Sequence, residues 1–80
     1  MNITLIDGHF TAKEALDIIT QIIHVKIKFH ESKIAHLDNE EDIKMREKRV
    51  KQLQKDLYDL RKMMDEGKKS YGLHAELQIK

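Results

Sequence analysis

The sequence predicts an α+β protein of β-α-α-β order: a long antiparallel helical hairpin flanked by two short terminal strands and completed as a homodimer. Three observations lead there. Apolar residues recur at helical spacing over two stretches separated by the acidic segment Asp38–Asp42, and the last ten residues alternate strictly between apolar and polar up to one glycine. The chain also holds no proline, so nothing in it forces a break in either helix.

The elements follow in order. Asn2 to Ile6 reads as a short strand with Ile3 and Leu5 on one face, and Asp7-Gly8 after it is a turn signal. Thr11-Ala-Lys-Glu14 has the form of a capping box, in which the threonine hydroxyl accepts from an orphan N–H and the glutamate reaches back. A helix is therefore expected over 11–37. Advancing about 100° per residue, Leu16, Ile19, Ile23, Ile27, Ile34 and Leu37 form one apolar stripe. Ala15, Ile18, Ile22, Val25 and Phe29 form a second stripe beside it. A surface helix needs an apolar stripe of only about 100°, so this one is expected to bury two faces against two neighbours.

Asp38 or Asn39 supplies the cap of a second helix, expected over 39–66, with acids in its first turn where the macrodipole favours them. Ile43, Val50, Leu53, Leu57, Leu60 and Met64 make a narrow heptad-like seam, and Gly67 is the expected stop, with Lys68 and Lys69 beyond it. From Tyr71, the residues Tyr71, Leu73, Ala75, Leu77 and Ile79 share one face, so 71–79 is expected to be a half-buried strand. The whole of 1–80 makes a single domain.

The connection between the helices is too short for anything but an antiparallel hairpin. Pairing outward from it sets Leu37 with Ile43, Ile34 with Arg46, His30 with Val50, Ile27 with Leu53, Ile23 with Leu57 and Leu16 with Met64. Both strands leave the same end and run antiparallel, either within one chain or exchanged between two. Helices of about 27 residues are roughly 40 Å long, while a compact chain of this size has a radius of gyration near 12 Å. A lone two-stranded sheet is marginal in water. Two copies related by a twofold axis resolve both difficulties. The expected interface is Ala15, Ile18, Ile22, Val25 and Phe29 on the first helix, with Leu73 and Leu77 on the last strand.

Composition narrows the function. With no cysteine there is no disulfide framework, thiolate metal site or cysteine nucleophile. Forty percent apolar content is too high for a fully disordered chain, and no run is long and apolar enough to span a bilayer. Asp7 is the first charge and Lys13 the first cation, so no basic leader is expected and the location is read as cytoplasmic. The net charge of +1 gives no global pull toward nucleic acid or membrane.

His24, His30 and His36 recur every six residues, which turns each about 240° from the last. They cannot converge on one ion, and no metal or other cofactor is expected. His30 falls in the centre of the first apolar arc, near Arg46 and Arg49. It reads with Arg46 as a buried polar layer that sets helix register, the sharper alternative being a pH switch. Lys44, Lys48, Lys51, Lys55 and Lys62 form a basic stripe on the second helix, the best nucleic-acid feature of the chain, though diluted by neighbouring acids and without an interleaved aromatic. Ser32 and His36 stand at i, i+4, but no third group is implied to orient the imidazole, so catalysis is not expected. The expected function is a small non-enzymatic homodimeric interaction or scaffold module that pairs with itself and possible further proteins. The alternative is a nucleic-acid-associated regulator using the lysine stripe.

Overall fold

A computed structural model of the chain describes residues 1–36, 38–64 and 69–80. Its elements are β1 (Asn2–Thr11), α1 (Ala12–Ile34), α2 (Glu40–Met64) and β2 (Ser70–Gln78), and the two strands pair antiparallel within one chain.

β1 does not stop at Ile6. It runs through Asp7-Gly8, where a turn was expected, and pairs these residues with His74 and Leu73. The reason is tertiary: β2 offers a partner along the whole length, and Gly8 takes φ +153°, a region that side chains rarely adopt. The pairing slips between Thr4 and Ile6, which leaves Leu5 unpaired. That slip resets the alternation. An unbroken strand would put Ile3 and Leu5 together with Asp7 and His9; instead Ile3, Ile6, Gly8 and Phe10 lie opposite Leu77, Ala75, Leu73 and Tyr71 on one face. Leu5, at the slip, is 56% exposed. The opposite face is polar and carries the Asp7–His74 pair at 3.7 Å. The ladder extends to residue 79, whose N–H donates to the Met1 carbonyl (2.8 Å), while the Met1 ammonium donates to the Ile79 carbonyl (3.0 Å).

α1 begins as its capping box requires. The Glu14 N–H donates to the Thr11 hydroxyl (3.1 Å) and the Thr11 N–H donates to Glu14 Oε1 (2.9 Å). The Ala12 N–H donates to the Lys69 carbonyl (3.3 Å), which ties the helix start to the approach to β2. The helix ends at Ile34, short of the expected residue 37. Its last turn tightens: the Ala35 N–H reaches the Glu31 carbonyl (3.2 Å) and the His36 N–H reaches only the Lys33 carbonyl (3.1 Å). Asn39, rather than Asp38, caps α2, its side-chain oxygen accepting from the Glu41 N–H (2.9 Å). α2 is described to Met64; the expected stop at Gly67 with Lys68, like Leu37, lies outside the described residues.

The helices lie antiparallel. One groove between them is lined by Ile27 and Leu57, with His24 near Arg61 at one end, and the next by Ile34 and Val50. Among the described residues only Ala15, Ile23, Leu57 and Met64 are buried apolar side chains, and His30 is the one buried polar one. The extents of 46 × 33 × 13 Å explain so small a core. The hairpin and ribbon make a plate one layer thick, whereas domains normally close a core between two layers. The radius of gyration is 15.2 Å, against about 12 Å for a compact chain of this length.

Candidate functional site: an apolar seam on the first helix

Ile18, Ile22, Val25 and Phe29 follow one another at spacings of four, three and four, the a/d pattern of a coiled-coil seam. Ile18 is half-buried, while Ile22, Val25 and Phe29 are 40%, 68% and 56% exposed. The first stripe of α1 meets α2, as the burial of Ile23 and His30 shows, while the second stays largely exposed, its Val25 and Phe29 bordering a groove that Arg49, Gln52 and Leu53 of α2 close on the other side. Ala15 was expected to extend it. Instead Ala15 has no accessible surface, in the turn after the helix start is bonded to the approach to β2, and presents nothing to a partner. The seam therefore begins at Ile18. Leu73 and Leu77 stand apart from it on the apolar face of the ribbon, opposite Gly8 and Ile3, with Leu73 half-buried and Leu77 exposed.

The total accessible surface is 6668 Å². A compact monomer of this mass exposes about 5,000 Å². The surplus of roughly 1,700 Å² exceeds the ~800 Å² per partner of a standard protein–protein interface.

One polar group interrupts the seam between the helices. Arg46 Nη1 donates to His30 Nδ1 (3.0 Å), and since a guanidinium has no acceptor, this assigns the imidazole proton to Nε2. Desolvation, and then the charges of Arg46, Arg49 and Lys26, hold the His30 pKa below its ordinary value, so the ring is neutral. Arg46 comes from the layer one turn away from the expected Val50; the long side chain closes that distance. Phe29 meets His30 edge-on at 5.8 Å, and both Arg46 and Lys33 lie over the Phe29 ring at 5.8 and 5.7 Å. Arg49 was expected near His30 from the sequence; Lys26, four residues before His30 on α1, was not singled out, although its i, i+4 spacing is visible there. The Glu14 carboxyl is held below its ordinary pKa by the Thr11 backbone and side-chain hydrogen bonds of the cap.

The lysines Lys44, Lys48, Lys51, Lys55 and Lys62 are all exposed along α2. Two of them have local partners: Lys55 lies 3.6 Å from Asp59, and Lys62 sits 5.0 Å over the exposed Tyr58 ring. That tyrosine is an aromatic the sequence reading did not associate with the stripe, although its i, i+4 spacing to Lys62 could have shown it. Ser32 and His36 are both exposed, with His36 beyond the end of α1. Among the described residues no three His, Asp or Glu side chains are placed to hold a metal ion, and no helix is long and apolar enough to cross a membrane.

Comparisons with protein-family models, with curated proteins and with solved structures found no match to this chain.

Proposed function

We propose that this chain is a non-enzymatic homodimeric interaction module whose association surface is the α1 seam of Ile18, Ile22, Val25 and Phe29. The observation that carries the reading is a largely exposed apolar stripe with a/d spacing on a plate one layer thick, with surplus surface of the size an interface needs. A second copy supplies the missing layer at no further cost in sequence, since a twofold interface uses the same patch on both sides. The exposed outer faces of the helices and the open edges of the ribbon then remain for other proteins, a strand added to an edge being one known mode.

Light scattering from dilute to concentrated protein tests the reading. A mass of twice 9.5 kDa that falls to one chain on dilution is the expected result; a single-chain mass at every concentration overturns it. The second reading, a nucleic-acid-associated regulator, draws support from the exposure of all five stripe lysines. It is weakened by the Asp59 partner of Lys55 and the small net charge. Retention on heparin at physiological salt favours that reading, and flow-through removes it.

A further inference from the structure

Resting on the seam as the association surface, we infer that the two copies pair with their α1 helices antiparallel, Ile18 packing on the partner's Phe29 and Ile22 on the partner's Val25. The placement of the twofold axis follows from the two ends of the seam. Toward the ribbon it is closed by Ala15, which has no surface left, and at the other end Phe29 is its last large apolar side chain. In antiparallel packing the a positions of one helix meet the d positions of the other. Only an axis passing between Ile22 and Val25 then uses all four residues of both copies. Shifting by one heptad toward the ribbon leaves Phe29 facing Thr11, and shifting the other way leaves Ile18 and Ile22 facing His36 and Ser32.

Charge separates this arrangement from the parallel one. Lys28 and Lys33 occupy the flanking g and e positions of the seam. A parallel pair brings Lys28 beside the partner's Lys33 on both sides of the axis, two like-charge contacts. The antiparallel pair sets Lys28 beside the partner's Gln21, and Lys26 beside the partner's Ile19, with no like charges opposed. The helix macrodipoles also align favourably when neighbours run in opposite directions.

The absence of native cysteine makes the test clean. Ile18→Cys and Phe29→Cys proteins are prepared separately, mixed, and mildly oxidised. Mixed disulfides between the two variants, with neither variant linking to itself, are expected. Self-linked Ile18→Cys or Phe29→Cys dimers overturn the inference in favour of parallel helices. No linkage in a sample that light scattering shows to be dimeric overturns it in favour of another face, while a monomeric wild-type protein overturns the proposed function itself. Ser32→Cys carrying a nitroxide leaves all four seam residues intact and gives a second reading. Labels about 25 Å or more apart are expected from the 1.5 Å rise, and a separation under about 15 Å overturns the antiparallel pairing.

Discussion

Val25→Glu is the sharpest perturbation of the proposed interface. Val25 is 68% exposed, the most of any seam residue, so its role within one chain is slight. Valine and glutamate differ little in helix propensity, and an exposed substitution of this kind changes monomer stability by about 0.5 kcal/mol or less. In the proposed dimer the same position is central. Burying the exposed two-thirds of a valine contributes about 1 kcal/mol at the lower end of side-chain burial values. Twofold symmetry doubles this to about 2 kcal/mol for the pair. The new carboxylates add a desolvation cost on top. The dimer Kd is therefore expected to rise at least 30-fold or so, at about 1.4 kcal/mol per tenfold. Sedimentation equilibrium over a hundredfold concentration range measures it, with circular dichroism to verify that the helices persist. Equal masses for Val25→Glu and wild type at every concentration would refute the seam as the interface.

Three other outcomes follow from the fold. Leu57 is 7% exposed in a core of very few apolar side chains, so Leu57→Ala should cost about 2–4 kcal/mol in urea unfolding; a loss below about 1 kcal/mol would show that the hairpin does not depend on this layer. His30 is held neutral, its pKa below the ordinary histidine value, so the unfolded chain takes up the proton first. Its contribution to stability is then complete above the ordinary histidine pKa of about 6.5 and is lost as pH falls below it. The melting temperature of the wild type should drop more steeply than that of His30→Leu between pH 7 and pH 5, and parallel curves would contradict this. Gly8→Ala forces a side chain onto φ +153° and should destabilise the ribbon by about 1–3 kcal/mol, seen as faster hydrogen exchange of its amides, whereas unchanged exchange would argue against strain there.

What could be read from the sequence was what local periodicity encodes. The capping box, the helix of α1 and the strand of β2 depend on neighbours within a few residues, and each is present, although the second stripe of α1 is mostly exposed and the burial alternation of β2 stops at Ala75, with Leu77 and Ile79 exposed. β1 resisted because its determinants are remote. Asp7-Gly8 has the chemistry of a turn, but pairing with residues more than sixty positions away outweighs that tendency. The slip at Leu5 also breaks the period by which a strand is recognised. Ala15 illustrates the same limit at the candidate site. A helical wheel shows which side a residue faces but not where the ribbon meets the helix, so only the structure reveals that this position is already covered. The hairpin register put Arg46 one layer from His30, opposite Ile34, whereas the hydrogen bond between them, its donor atom and the imidazole tautomer required coordinates.

The Ala12–Lys69 hydrogen bond has a consequence for how the ribbon comes together. Every pairing in β1–β2 closes a chain loop of more than fifty residues, which for a free coil is slow and entropically costly. The helical hairpin removes most of that cost. Once α1 and α2 are side by side, their open ends stand next to each other, and the two strands leave from a common base. Toward the ribbon, the whole hairpin plays the part that a two-residue turn plays in an ordinary β-hairpin. The strands can zip from Thr11–Ser70 outward to the chain ends, as though they were neighbours in sequence.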